Sequence, residues 1–354
     1  MAETSIEIIP ESIKLVKITD EEYFSKEYGD WISNSKLGLV NPDEGGSLEK
    51  YRAGYSGSYS ESFELGSAVH AMVLQPDEYN IAPIRKPTGK LGLFAEKSYE
   101  LIRKTKVMSA DVMNDIIKKA SLDADYYAGK LADKRLETAL AACEPYWKDR
   151  KEYEYLIDKE ISKKQLYLSA PMHEKFRQCM LGVTSNTKVG NILKPETLLG
   201  SAEVYNEYAL FAEVIVTLED GTTKRLKLKS KLDNFTVNHE TQELTLNDLK
   251  TTGKPVVFFM GGYKEETDPV TGRDERNWYD GSFQKYHYYR QMGMYLWLLA
   301  CYYKHKGINY TPKANMVVVE TIPKFRTRIC SVNGKYIKQG LDEFKKLLIL
   351  VANG

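Results

Sequence analysis

The stretch that decides the fold is residues 223–253, TKRLKLKSKLDNFTVNHETQELTLNDLKTTG. Its first half alternates strictly. Leu226, Leu228 and Leu232 share one face with Ser230, while Arg225, Lys227, Lys229, Lys231 and Asp233 share the other. NHETQ is turn chemistry and ELTLNDLKTTG is a second strand, so the segment reads as a β-hairpin. Side chains two apart on a strand point the same way, so Asp248 and Lys250 face one side and Leu249 the other. With the turn centred near Glu240 and Thr241, the register places Asp233 opposite Asp248. Two carboxylates and a lysine converge at one end of the hairpin.

Working outward, AEVYNEYALFAEVIVTL (202–218) is strand-like and EDGT is a turn signal. FELGSAVHAMVLQ (63–75) reads as a helix stopped by Pro76. The opening of the chain reads as a short strand or turn leading into a helix with Ser33 or Ser35 as N-cap, and residues 45–62 read as a loop. From about 95 to 186 the pattern is helical with weak punctuation, and Ser109, Ser121 and Ser169 are candidate caps. Residues 282–307 form an aromatic-rich helix. The chain closes with strand-like ANMVVVETI and RTRICSV and an amphipathic helix, IKQGLDEFKKLLILV.

Composition excludes several classes. The 354 residues are 42% hydrophobic and 28% charged, which is globular and neither collagenous nor disordered. Fifty Lys+Arg against 49 Asp+Glu give a net charge of +1, so any nucleic-acid surface must be local. Cys143, Cys179, Cys301 and Cys330 are scattered with no CxxC, which argues against a zinc ribbon or an iron–sulfur cluster. The longest apolar run, Met292 to Tyr303, is too short to span a bilayer, and no signal peptide or P-loop is visible. The expectation is a cytoplasmic protein without a membrane partner.

The Asp233/Asp248/Lys250 grouping suits metal-dependent phosphodiester hydrolysis. Hard oxygen ligands hold Mg²⁺ or Mn²⁺, which lowers the pKa of a bound water, and a lysine stabilises charge building on phosphorus. A DxK pair alone is also what a solvated surface hairpin shows. Here it is accompanied, in one order, by Gly66-Ser-Ala-Val-His70 on an earlier helix and Gln291-Met-Gly-Met-Tyr295 on a later one. That set resembles the PD-(D/E)XK nuclease superfamily, particularly the RecE-like and lambda-type phage exonucleases, over roughly residues 30–80 and 165–320.

The resemblance implies an α/β fold of the restriction-endonuclease-like type: a central mixed sheet of about five strands flanked by helices. Residues 1–354 would form a single nuclease domain, with 95–165 as a helical insertion. It makes His70, Asp233 and Asp248 metal ligands, and Asp233, Asp248 and Lys250 the catalytic set. Gln291 and Tyr295 match the family's Q-x-x-x-Y, which supports the site and touches DNA. Ser35, in Ile32-Ser-Asn-Ser35, matches a segment that helps bind a DNA 5′-phosphate. The implied activity is a bacterial or phage exonuclease acting 5′→3′ on one strand of double-stranded DNA ends during recombination. A ring-shaped homo-oligomer and a single-strand annealing partner are implied with it. A catalytically silent end-binding or scaffold protein with the same fold is the alternative.

Three further stretches are left open. The basic row Arg225–Lys231 is either a solvated face or a phosphate track. Of Glu203, Glu207 and Glu213, alternation selects none. Residues 260–282 carry six acidic and three basic side chains and read as a flap or subunit contact. Trp278 and Tyr279 would be its anchor, facing basic residues such as Arg85, Lys86 and Lys90.

Overall fold

A computed structural model of the chain describes residues 3–54, 60–82, 89–107, 109–127, 133–135, 137–139, 141, 164–193, 202–267 and 274–354. The strands are β1 (Ser5–Ile8), β2 (Lys14–Lys17), β3 (Tyr79–Ala82), β4 (Lys164–Tyr167), β5 (Ala202–Thr217), β6 (Thr223–Asn238), β7 (Glu243–Thr252), β8 (Gly262–Thr267), β9 (Asp274–Tyr279), β10 (Thr311–Glu320) and β11 (Thr327–Ser331). The helices begin with α1 (Asp20–Tyr23), α2 (Asn34–Gly38), α3 (Leu48–Ala53), α4 (Glu61–Leu74), α5 (Gly89–Lys104) and α6 (Ala110–Asp123). They continue with α7 (Ala170–Ser185), α8 (Thr187–Leu193), α9 (Ser282–Lys285), α10 (Tyr288–His305) and α11 (Gly334–Asn353).

The chain divides into two compact units, residues 1–76 with 174–354, and residues 77–173. The first holds a seven-stranded sheet in the order β1-β5-β6-β7-β10-β11, with β2 also on β5. It is mixed but mostly antiparallel: only β7 and β10 run parallel, joined through α10. Parallel neighbours need such a crossover. The sheet has seven strands where about five were expected, because β1 and β2 are short and both pair with the 16-residue β5. Four-residue strands carry too little alternation to read.

Leu228 and Leu232 are fully buried, as the hairpin pattern requires, and pack with Met316, Val318, Met292, Leu299 and Phe344 into the main core beneath α10 and α11. Ser33, not Ser35, caps α2, accepting from the Lys36 amide at 3.2 Å. Ser109 caps α6, but Ser121 lies inside that helix and donates to the Tyr126 carbonyl. Residues 45–62 are not all loop, since Ser47 caps α3. The aromatic-rich helix of 282–307 is broken at His287, whose left-handed backbone (φ 50°) separates α9 from α10.

The second unit contains the parallel pair β3–β4 and a small core in which Phe94 of α5 stacks on Tyr126, with Ile117 and Ala120 of α6 around them. Residues 95–165 fall within it.

Four asparagines cross the main sheet in a row. Asn315 on β10 donates to Asn247 on β7 (2.9 Å), Asn247 to Asn234 on β6 (2.7 Å), and Asn234 to Asn206 on β5 (2.6 Å). Asn206 in turn donates to the carbonyls of Leu74 and Leu193, and Asn234 to that of Ile192. The last turns of α4 and α8, whose carbonyls have no partner within the helix, are therefore satisfied by the sheet. Replacing Asn234 by Ala would strand Asn247 and the Ile192 carbonyl in a buried setting. We expect a loss of roughly 3 kcal/mol, read as a lower urea midpoint. An unchanged midpoint would show that the ladder holds nothing together.

Candidate functional site

The β6–β7 ladder runs from Asn238↔Glu243 to Asn234↔Asn247 and stops. Beyond it β6 pairs with β5 and β7 with β10, so the sheet forks. Asp233 and Asp248 stand at the mouth of the fork, one position past the last pair. Asp233 Oδ2 accepts the Leu249 amide at 2.8 Å, so a side chain satisfies the donor that the fork deprived of a strand partner. Lys250 Nζ pairs with Asp248 Oδ2, lies 3.9 Å from Asp233 Oδ2, and sits 5.4 Å from the centre of the Tyr288 ring. Gln291 Nε2 donates to Asp248 Oδ1 at 2.5 Å.

His70 reaches this group from α4. A Cβ on Gly66 would come within 2.9 Å of Thr251 Oγ1, so glycine lets the helix lie close to β7. One turn later His70 places Nε2 3.2 Å from Asp233 Oδ1 and Nδ1 3.6 Å from Glu207 Oε1. Of the residues expected from sequence, the structure thus gathers His70, Asp233, Asp248, Lys250 and Gln291.

Of the three glutamates that alternation left open, Glu207 is the one that joins the group. It sits mid-strand with a left-handed backbone (φ 58°), at a gap in β5–β6 pairing between Asn206↔Asn234 and Tyr208↔Leu232. Period-two alternation cannot single it out from Glu203, which bonds Tyr205, or Glu213, which pairs with Arg225. A usable signal lay in the dipeptides: Asn206-Glu207, Asp233-Asn234 and Asn247-Asp248 each set an acid beside a ladder asparagine.

Three acids within one fork perturb each other. Burial pushes the Asp248 carboxyl up to about 6, with the Asp233 charge adding to the rise and Lys250 opposing it. Burial also acts to raise Asp233, but the His70 and Lys250 charges outweigh it and bring it down to about 2. Burial raises Glu207 as well. For His70, burial would lower the value, yet the carboxylates of Asp233 and Glu207 carry it up to about 9. The imidazolium is thus the counter-charge of the site, alongside Lys250 and Lys231, whose Nζ lies 2.6 Å from Glu207 Oε2.

Not every expected residue joins these bonds. Ser35 is exposed on α2 and joins none of these bonds; its neighbour Asn34 accepts from the buried Arg290. Tyr295 is buried close enough to the acids to feel them: desolvation, with the charges of Asp248 and Asp233 adding to it, holds its hydroxyl protonated. The basic row is divided: Arg225 and Lys227 are exposed, while Lys229 and Lys231 are taken up by internal contacts. Lys229 donates to the Tyr23 carbonyl and lies over the Tyr23 ring, Lys227 lies over Trp31, and Lys231 is tied to Asp20 and Glu207. The 260–282 segment has two arms that pair as the hairpin β8–β9, with Trp278 edge-on to Tyr263 at 5.1 Å. Its tip, like Arg85 and Lys86, lies outside the described residues, and Lys90 is paired with Asp125. A second acidic group among the described residues, Glu44, His287 and Glu343, already holds a cation, because Arg290 Nη1 bonds both carboxylates.

No helix among the described residues is long and apolar enough to cross a membrane. No family model and no curated protein matches the chain. Among solved structures, a "putative exonuclease" from Eubacterium rectale is similar in fold, with a TM-score of 0.45 and 10% identity over 95% of this chain and 86% of that one. A likeness that weak says nothing about chemistry, which has to be read from the side chains.

The raised His70 value has a consequence for stability. A group raised on folding stabilises fully below its unfolded value of about 6.5 and loses that contribution as pH rises through about 9. Metal-free protein should therefore show a urea midpoint that falls between pH 6.5 and 9, and His70→Gln should flatten that slope. Parallel slopes for the two proteins would contradict the pairing.

Proposed function

We propose that the chain is a metal-dependent nuclease that hydrolyses phosphodiester bonds at the β6–β7 fork. The observation that carries this reading is the convergence of Glu207, Asp233, Asp248 and His70 around Lys250. Glu207 Oε1 is buried without a hydrogen bond, 3.6 Å from His70 Nδ1, so it keeps a lone pair that a bound ion could use. Glu207, His70 and Asp233 each bring a ligand atom within 4.8 Å of the others. Oxygen donors with one imidazole suit Mg²⁺ or Mn²⁺.

Asp233, Asp248, Glu207 and His70 would hold the ion, which supplies positive charge to the scissile phosphate and acidifies a water. Lys250 keeps its proton, because its value is raised by Asp248 and Asp233 against the opposing effect of burial. Its ammonium stabilises the negative charge that develops on the phosphoryl oxygens. Gln291 fixes Asp248 by one oxygen and leaves the other facing Lys250. Tyr288 walls the ammonium with an aromatic face, which favours the cation without competing for its charge.

The finer reading extends the resemblance. The substrate is one strand of a linear double-stranded DNA end, degraded 5′→3′, by a homo-oligomeric ring that works with a single-strand annealing protein in phage-type recombination. The experiment is Mn²⁺-dependent nucleotide release from linear duplex.

Asp248→Ala should reduce release by at least about 10³-fold and weaken Mn²⁺ binding by calorimetry. Lys250→Ala should lose a similar factor while Mn²⁺ affinity stays within about threefold, since a lysine is no ligand. Full activity in Asp248→Ala would remove the site, and lost metal affinity in Lys250→Ala would reassign the lysine. Because His70 carries a proton at neutral pH, Mn²⁺ binding at pH 7.5 should release about one proton per ion. The enthalpies measured in two buffers of different ionisation heat would give that count.

A further inference from the structure

We propose that a basic cleft at the C-terminal ends of β7 and β10 binds the phosphate backbone of the nucleic-acid strand on which the fork acts. This rests on the phosphodiesterase reading above. The cleft, of about 960 Å³, lies between the α7–α8 junction and the β10–β11 loop.

Charge is the first observation. Lys188, Lys324, Arg326 and Arg328 line the cleft, and no acidic residue occurs among the described residues that line it. In a chain with 50 basic and 49 acidic side chains, that is a local surplus. Arg326 is committed to the buried Glu320, 2.8 Å away. Among the described residues, Lys188, Lys324 and Arg328 have no carboxylate partner, so three charges are left facing solvent. Thr327 Oγ1, also in the wall, is buried and makes no hydrogen bond.

Backbone geometry is the second. Lys324 (φ 102°) and Phe325 (φ 42°) are consecutive left-handed residues, a conformation that side chains disfavour and that surrounding contacts must hold. The turn drives the Phe325 carbonyl onto α7 at Gly182, where a Cβ would lie 2.0 Å from that oxygen. Only glycine admits the approach, and it leaves Lys324 exposed at the rim.

Register supplies the third. Val318 pairs with Lys250 on one side and Arg328 on the other, so the three residues lie in one cross-strand row. Two strand spacings separate Arg328 from Lys250, about 10 Å. That is a short distance along the backbone of a nucleic-acid strand. A strand whose phosphodiester lies at Lys250 thus has later phosphates within reach of the cleft, while Lys229 and Lys231 of β6 are already engaged by the N-terminal segment.

The test compares three full-length variants in Ca²⁺ with a fluorescent single-stranded oligonucleotide and its duplex, titrated across salt. Lys188→Gln/Lys324→Gln/Arg328→Gln should bind about tenfold more weakly at 0.1 M salt, with a log–log salt slope shallower by about two. In Mg²⁺ its KM should rise while kcat holds. Lys188→Arg/Lys324→Arg/Arg328→Lys should bind as wild type does, which separates lost charge from lost fold. Lys14→Gln/Lys335→Gln/Lys338→Gln removes the same charge from other exposed positions and should leave the slope unchanged. Wild-type affinity and slope in the cleft variant would overturn the proposal, and so would an equal loss in the control. Binding of inorganic phosphate in the cleft without competition from the oligonucleotide would also overturn it, leaving a small-anion pocket. A wild type that binds through the cleft but hydrolyses nothing fails the reading of the fork, which is scored separately by Asp248→Ala.

Discussion

The asparagine ladder is the constraint on which the rest of the main unit depends. Sheet register could slip at little cost in a strand as polar as β6, and a one-residue slip would move every side chain to the other face. Four amides bonded in series across β5, β6, β7 and β10 forbid that slip, because each Asn has a single partner position that satisfies it. The ladder also ties the ends of α4 and α8 to the sheet. Since Glu207, Asp233 and Asp248 each adjoin a ladder asparagine, locking the row on one face sets the acids in line beside it.

Opening the sheet immediately beyond that row is what makes room for chemistry. A continuous β6–β7 ladder would bury Asp233 and Asp248 against each other with no space for a third partner. The fork lets α4 lean in, and its price is small because the Asp233 carboxylate takes up the freed Leu249 amide. His70, Lys250 and Lys231 then balance the three acids. The site stands close to neutrality without metal, in the form of a protonated histidine that a divalent ion can replace.

Charge is partitioned over the unit in the same way. In the Lys-rich strand that looks most like a nucleic-acid track, the two lysines nearest the fork, Lys229 and Lys231, are taken up by internal contacts with Tyr23 and Asp20. The cations that remain free in the cleft come from segments far apart in the chain, Lys188 on α8 and Lys324 and Arg328 around the start of β11. Net charge near zero is compatible with a nucleic-acid surface only if that surface is small and local, and the cleft meets that condition.

Much of this was legible in the sequence. The hairpin, its turn and the approach of Asp233 to Asp248 follow from a period of two and one turn, both local properties of the backbone. Lys250 was legible because strand alternation sets it on the face of Asp248, whereas His70 and Gln291 were reached only through the resemblance that their short motifs carry. Tertiary structure decided what depends on contacts between distant segments. Glu207 joins the site only through an interrupted ladder and a left-handed residue, which alternation cannot encode. Lys229 and Lys231 of the basic row are covered by an N-terminal segment some 200 residues earlier in sequence. The forking of β6 from β7 depends on partners on either side of both strands. Periodicity states which face a residue takes; only the packed chain states what lies opposite it.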